Sequence, residues 1–327
     1  MEKLRFGILG AARIAPGALV HPSRSIDSVV ITRVAARDRS RAEAFAAEHG
    51  IEKVAADYEA VINADDVDVV YNPLPMSHHA EWSIRAMRAG KDVLCEKPFA
   101  SNATEAQEMV EVAEQTGRTL GEAFHYWYHP LFQRVLEEVR SGRIGQLVHV
   151  EGHFDISIAK PDLRWEYATS GGSTMDLGCY PIHWARSIAG EEPTVTGGDV
   201  EEDPEKIDAA LGVELSFPGG ATGYIHSAMN EPSRKVLLVV EGTHGRVVAD
   251  NLVAPHKGNT LTIETPTGST SGTVEAGTTY HHMLRAFVDH LRLGSPYPTM
   301  GEDSINNMAV IDAAYDAVGL PRRGLPA

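Results

Sequence analysis

Up to about residue 125 the chain alternates short apolar runs with amphipathic stretches. The segments 4–9, 29–36, a short piece near Val54, 67–71, 92–95 and 119–124 are apolar or β-branched runs of strand length, as expected of strands buried on both faces. Between them 40–49, 58–62, 79–89 and 104–115 read as helices, the third closed by Gly90. Such alternation predicts a doubly wound parallel sheet. From Pro130 the pattern changes to a helix over 131–140 and then long alternating runs at 147–156, 209–217, 221–229 and 236–241. Pro218-Gly219-Gly220 and Gly242-Thr243-His244-Gly245 supply turn chemistry, so antiparallel hairpins are expected. Amphipathic helices follow at 280–293 and 303–318. The fold class read from this pattern is α/β: a doubly wound parallel-sheet domain over 1–125, then an α+β domain over 126–327 with an open, mainly antiparallel sheet. Helices on one face of that sheet leave the other for a partner subunit.

The 327 residues and 43 % hydrophobic content suit two domains with sizeable cores. A formal net charge of −16 without a basic tract argues against a nucleic acid or an anionic membrane as partner, which leaves a small molecule. Only Cys95 and Cys179 occur, and neither a signal peptide nor a bilayer-spanning run is visible, so a cytoplasmic, disulfide-free protein is expected.

The first strand runs into Gly10-Ala11-Ala12-Arg13-Ile14-Ala15, a G-x-G-x-x-A spacing in which Ala12 replaces the second glycine. A glycine turn from a buried strand into a helix can hold a pyrophosphate on N-terminal amides. Alone it reads equally as a tight βα loop. The second strand, however, ends at Arg37-Asp38, near the spacing of the ribose-reading position. An acidic residue there suits NAD, whereas a guanidinium suits the 2′-phosphate of NADP, so NADP is favoured and NAD kept as the alternative. The competing reading makes these arginines a solvated helix start. Ligands in open α/β sheets sit beyond the carboxyl ends of the strands, so Gly10, Arg37, Pro73-Leu74-Pro75 and Glu96-Lys97-Pro98 should face one crevice. Lys97 can there donate to a substrate oxygen, or be a surface lysine paired with Glu96. In the second domain Gly171-Gly172-Ser173 resembles a loop and helix cap, and Asp176 and Tyr180 lie four residues apart on one helix face. A phenol near an ammonium can exchange protons. His183, one turn further, reads as a core histidine.

Gly10 to Ala15, Glu96-Lys97-Pro98, Glu122-Ala123-Phe124 with His129-Pro130, and Gly171-Gly172 followed by Asp176 together resemble the Gfo/Idh/MocA oxidoreductases over essentially the whole chain. The resemblance implies hydride transfer between NAD(P) and a sugar, polyol or diol, with Lys97 at the catalytic lysine position and a C-terminal sheet that forms homodimers or homotetramers. Many members carry a histidine where this chain has Tyr180. That departure, with Asn72-Pro73-Leu74-Pro75 and His79-Ala80-Glu81-Trp82, is similar to the branch of dimeric dihydrodiol dehydrogenases and NADP-dependent D-xylose 1-dehydrogenases, where the tyrosine is the acid/base.

The expected catalytic residues are therefore Lys97, Tyr180 and Asp176. Cofactor contacts are expected from Gly10, Ala12, Arg13, Ile14, Arg37, Leu74, Pro75, His79, Glu96 and Lys97, and substrate contacts from His129, Arg164, Trp165 and Tyr280. Trp127 stands where relatives commonly carry arginine, which speaks against a charged substrate. His78-His79, His281-His282 and the set His125, His129 and His153 lack ligand spacing on one helix face and no cysteine joins them, so no metal is expected. Two alternatives stay open: a cofactor-binding regulator that has lost its chemistry, and an enzyme that keeps its cofactor while passing hydride between two sugars.

Overall fold

The computed structural model describes residues 2–324, which fall into two compact units. The first comprises the chain up to His125 together with Tyr280–Ile305. Its strands β1 (Leu4–Leu9), β2 (Val29–Ala35), β3 (Lys53–Val54), β4 (Val69–Asn72), β5 (Asp92–Cys95) and β6 (Leu120–Glu122) form one sheet in the order β3-β2-β1-β4-β5-β6, every pair parallel. This is the doubly wound order, with its switch point between β1 and β4. Phe6, Ile8, Leu9, Val34, Val69, Val70, Tyr71, Val93 and Leu94 are fully buried, which is why these strands carry no polar face.

Two features of this unit differ from the sequence reading. A helix is expected after Gly10; it begins as a π-helical turn, Pro16–Val20, that runs directly into a three-residue α1 (His21–Ser23). Pro16 stands at the first helical position, where its missing N–H costs nothing, and Pro22 has no N–H to give Ala18 O, which breaks the regular hydrogen-bond ladder within the segment. The sequence also assigns 280–293 to the second domain, whereas this helix (Thr279–Leu293) contributes its residues from Tyr280 onward to the first unit. The reason is packing: Met283, Leu284 and Phe287 are fully buried, and Phe287 and Tyr297 close so tightly on β6 that a Cβ on Gly121 would lie 2.8 Å from each ring.

The second unit comprises Tyr126–Thr279 and the chain from Asn306. An eight-stranded sheet has the order β14-β13-β12-β11-β7-β10-β9-β8, from β7 (Leu147–Ser157), β8 (Thr194–Glu202), β9 (Asp208–Ser216), β10 (Thr222–Ala228), β11 (Asn230–Gly242), β12 (Gly245–Asp250), β13 (Thr260–Thr265) and β14 (Gly268–Gly272). All pairs are antiparallel except β7 with β10, which run parallel at the centre, so the sheet is mainly antiparallel, as the pattern predicts. The helix Cys179–Ala189 packs on β7 and β10 through the Gly152 face, where a Cβ on Gly152 would meet Pro181 Cβ at 2.7 Å. On the opposite face Glu151, His153 and Asp155 of β7 align with Tyr224 and His226 of β10 and with Leu237 and Val239 of β11. Among the described residues no helix is long and apolar enough to cross a membrane.

Candidate active site

In the first unit the strand tips are tied together before any ligand is considered. Gly10 has φ +95°, its N–H donates to Ala35 O at the end of β2 (2.7 Å), and a Cβ there would come within 3.2 Å of Leu74 Cδ2 from the tip of β4. Only glycine turns the chain here without strain or crowding. Beyond it Ala12 is half-buried and Arg13 exposed, and Ile14 is an exposed large aliphatic. At the tip of β2, the Asp38 carboxylate accepts from the backbone N–H (2.9 Å) and hydroxyl (2.7 Å) of Ser40, capping the helix Arg39–His49. These bonds hold Asp38 below the usual carboxylate range. The carboxylate nearest the ribose-reading position is thus committed to a helix cap, while Arg37 is exposed and no carboxylate among the described residues pairs with it. Arg41 donates to Ala11 O at 3.2 Å, joining this tip to the glycine turn. A narrow glycine turn flanked by cationic side chains fits the phosphates of a dinucleotide.

His79 does not fit the expected cofactor contact. Its ring is 1 % exposed, with Nδ1 2.9 Å from Pro98 O and Nε2 2.8 Å from Leu74 O. Both nitrogens are spent on backbone carbonyls, so the imidazole braces the β4 and β5 tips and has no polar atom left over. Burial foremost, with the Lys97 ammonium adding to it, pushes His79 down to about 4 against the pull of the two carbonyls. Glu96 is buried and accepts from the Tyr71 hydroxyl at 2.6 Å. Lys97 and Pro75 are half-buried, and Leu74 is buried beside Gly10. Tyr280 is half-buried in this same unit, its ring 4.0 Å from that of His125.

In the second unit the Gly171-Gly172 turn is built around one buried carboxylate. Asp208 Oδ2 accepts from Ser173 Oγ (2.9 Å) and Thr174 N (2.6 Å), and its Oδ1 accepts from Arg323 Nη2 (2.8 Å) and Tyr315 Oη (3.1 Å). Arg323 Nε donates to Gly171 O at 2.7 Å, and Asp208 and Arg323 are both fully buried. Gly172 has φ +135°, and a Cβ on Gly171 would sit 2.4 Å from Arg164 O. Neither glycine tolerates a side chain. Ser173 is therefore not a helix cap: its backbone is already helical and its hydroxyl serves Asp208. The turn leads into a π-helical turn, Thr174–Gly178, and then into the helix Cys179–Ala189.

That segment carries Asp176 and Tyr180. Asp176 forms an ion pair with Arg164, Nε to Oδ2 2.6 Å, and Arg164 also reaches Asp162 Oδ1 at 3.2 Å. Asp176 is the main cause of an Arg164 pKa above its ordinary value. Tyr180 is 3 % exposed, its ring centre 5.8 Å from Tyr126 and 5.5 Å from Phe154. His183 is buried and shares a short hydrogen bond with Tyr126 Oη, the core role the sequence suggests. Two expected substrate contacts are structural instead. His129 is 1 % exposed and caps the helix Pro130–Arg140 by accepting from Leu131 N at 3.1 Å. Trp165 is 8 % exposed, donates Nε1–H to Ile158 O (3.1 Å) and lies under Lys160 Nζ (4.5 Å).

Sequence reasoning missed Asp208 and Arg323, 115 residues apart, for which no local signal exists. It also missed a cluster of His153, Asp155 and His226, because ligand spacing was sought on helices, whereas on a strand residues i and i+2 share a face.

Comparison with known proteins places this geometry. Residues 4–124 match the family model described as "Oxidoreductase family, NAD-binding Rossmann fold" of GFO/IDH/MocA, and residues 132–248 match the GFO/IDH/MocA C-terminal domain. D-xylose 1-dehydrogenase (NADP(+)) 2 of Haloferax volcanii is 32 % identical over 318 residues, covering 96 % of this chain and 97 % of its own. Trans-1,2-dihydrobenzene-1,2-diol dehydrogenase of Sus scrofa is 33 % identical over 246 residues, 74 % of this chain and 72 % of its own. A 3-ketoreductase from Actinomadura kijaniata, solved with NADP and TDP-benzene, superposes with a TM-score of 0.90 at 27 % identity, covering 97 % of this chain and 98 % of that one. It has also been solved as a tyrosine-to-phenylalanine and a lysine-to-alanine variant. The chain belongs to the Gfo/Idh/MocA family and is an oxidoreductase of it.

Proposed function

We propose that this protein is an NADP(H)-dependent oxidoreductase acting on a carbinol or carbonyl of a sugar, polyol or diol, with Tyr180 as the acid/base. The observation that carries the reading is the turn bearing Asp176 and Tyr180, which the Asp208 and Arg323 pair holds rigid. When bound, the nicotinamide accepts or supplies the hydride. The Gly10 turn, Arg13, Ile14, Leu74 and Pro75 would hold the cofactor body, and Arg37 with Arg41 its 2′-phosphate, because Asp38 is engaged with Ser40. In oxidation Tyr180 takes the hydroxyl proton; in reduction it returns it. Lys97, at the tip of the strand Asp92–Cys95, would supply a hydrogen-bond donor beside the nicotinamide. Asp176 keeps Arg164 in place, so that the guanidinium can donate to further hydroxyls. The names of the relatives, which include a xylose and a dihydrodiol dehydrogenase, support a polyhydroxylated or diol substrate. We further propose that the face of the eight-stranded sheet opposite the helix Cys179–Ala189 meets a second copy of the chain.

The test is turnover of aldoses, inositols, ketosugars and trans-dihydrodiols followed by nicotinamide absorbance with NADP and NAD. With the best substrate, Tyr180→Phe should lower kcat by about 10²–10⁴-fold with little change in NADP affinity. A variant with near wild-type kcat would overturn the role of Tyr180. Equal affinity for NAD and NADP would overturn the Arg37 assignment. Cofactor that survives dialysis bound to the protein would favour hydride shuttling between two sugars.

A further inference from the structure

On the sheet face opposite the helix Cys179–Ala189, His153 and Asp155 of β7 stand two residues apart, and His226 of β10 lies directly opposite His153 across the parallel pairing. One nitrogen or oxygen from each falls within 4.8 Å of the other two. Asp155 Oδ1 is 2.7 Å from His226 Nδ1, and Asp155 Oδ2 is 3.5 Å from His153 Nδ1. His153 and Asp155 are 8 % and 5 % exposed, while the His226 side chain keeps 22 % exposure and opens the cluster to solvent.

The hydrogen bonding of His153 is the informative detail. Its Nε2 lies 2.6 Å from Glu151 Oε1, and a carboxylate can only accept, so the ring proton belongs on Nε2. In the neutral ring Nδ1 then carries its lone pair. That nitrogen is buried, has no hydrogen-bond partner and faces a carboxylate oxygen. Lone pair against lone pair in a buried site is repulsive unless a cation, a proton or a metal ion, sits between them. A carboxylate on the far nitrogen of a histidine is also how metal-ligating imidazoles are oriented. The surroundings add negative potential: Asp199 of β8 and Glu231 of β11 both act on His226, with Lys235 of β11 paired opposite Asp155 as the counter-charge.

We propose that His153 Nδ1, Asp155 and His226 Nδ1 bind a first-row divalent cation of the zinc class, with Glu151 orienting His153 and water filling the remaining positions. Two imidazoles and one carboxylate suit such an ion better than magnesium or calcium. Ligand atoms around a tetrahedral ion are roughly 3.3 Å apart, given bonds of about 2.0–2.1 Å, so closing the cluster needs side-chain shifts of about 1 Å and no backbone movement. Binding displaces the proton that His226 shares with Asp155. The bound ion would pin β7 to β10 at the parallel seam of the sheet, on the strand whose Phe154 packs against Tyr180 from the other face.

The full-length protein, treated with EDTA and dialysed, is titrated with Zn²⁺ by calorimetry and with Co²⁺ by visible absorbance at pH 7.5. The expected result is one equivalent per chain with Kd below about 10 μM, a Co²⁺ d–d band, and a higher Tm in the presence of Zn²⁺. His226→Asn and Asp155→Asn should each weaken binding by 100-fold or more and abolish the Tm rise. Glu151→Gln should weaken it by about 10–100-fold. Near-UV circular dichroism of the metal-free variants checks that each is folded, and any one folded variant suffices. Fewer than 0.1 equivalents bound by the wild type, or unchanged affinity in a folded variant, would overturn the proposal.

Discussion

At the residue scale, the sequence showed place and not role: Gly10, Arg37 and Lys97 stand at strand tips and Asp176 and Tyr180 on one helical segment, as their spacing suggests. Not legible were the backbone partners of several polar or aromatic groups, even where the partner is only a few residues away. His129 caps a helix, Trp165 donates to Ile158 O, and His79 sits between Leu74 O and Pro98 O. Nothing in a sequence says which carbonyl a ring nitrogen will meet. His79 gives a pH prediction. Its pKa falls from the ordinary value of 6.5 to about 4 on folding. The unfolded chain therefore binds the proton more readily, and stability from this group is full above pH 6.5 and is lost as pH falls toward 4. Urea denaturation of the wild type should show a loss of about 2 kcal/mol from His79 between pH 7.5 and pH 5, at 1.36 kcal/mol per pKa unit. His79→Asn should lack that part of the slope. Parallel pH profiles for the two proteins would mean that the ring is already charged when buried, satisfying both carbonyls.

At the element scale, the parallel strands and their helices stand within a few residues of where apolar runs place them, because a strand covered on both faces must be apolar throughout. Four strands of the second sheet, β8, β12, β13 and β14, were given no range by the pattern, three of them for the opposite reason. β8 contains Gly197, Gly198 and three acids, β14 is Gly-Ser-Thr-Ser-Gly and exposed, and β13 is threonine-rich; their pairing comes from neighbouring strands, not from their own hydrophobicity. The Gly171 to Tyr180 segment was half legible. Its glycines and its Asp176 to Tyr180 spacing could be read, but the π-helical turn and the Asp208 anchor could not. Asp208→Ala tests that anchor. It strands the buried Arg323 charge and frees Ser173 Oγ and Thr174 N, so unfolding free energy should drop by about 3–5 kcal/mol. Because the turn carries Tyr180, kcat should fall in protein that is still folded, with NADP affinity retained. Loss of stability under 1 kcal/mol would show that Arg323 finds another partner and that the turn holds itself.

At the scale of the whole molecule, the sequence supplies an acidic chain with two folding patterns, and the first boundary, at His125, coincides with the end of the first pattern. The return of Tyr280–Ile305 to the first unit was not legible, since an amphipathic helix does not say which apolar surface it will cover. The same logic bears on the second sheet. Val239 of β11 aligns with Val248 of β12 and Glu151 of β7, and Leu237 with His153, so a row of half-buried aliphatics runs beside the polar cluster on the face away from the helix Cys179–Ala189. A surface of that kind is stabilised by covering it, and a two-fold contact would place Val239 from both copies in one interface. Light scattering after gel filtration should then give at least twice the chain mass for the wild type. Val239→Asp would bury a carboxylate from each copy, costing about 3–5 kcal/mol, which is a weakening of self-association by roughly 10²–10⁴-fold. The variant should run as a single chain at micromolar concentration while still binding NADP. A wild type that is already a single chain would remove the second copy from this face, whereas a variant that keeps the wild-type mass would move the contact elsewhere on the protein.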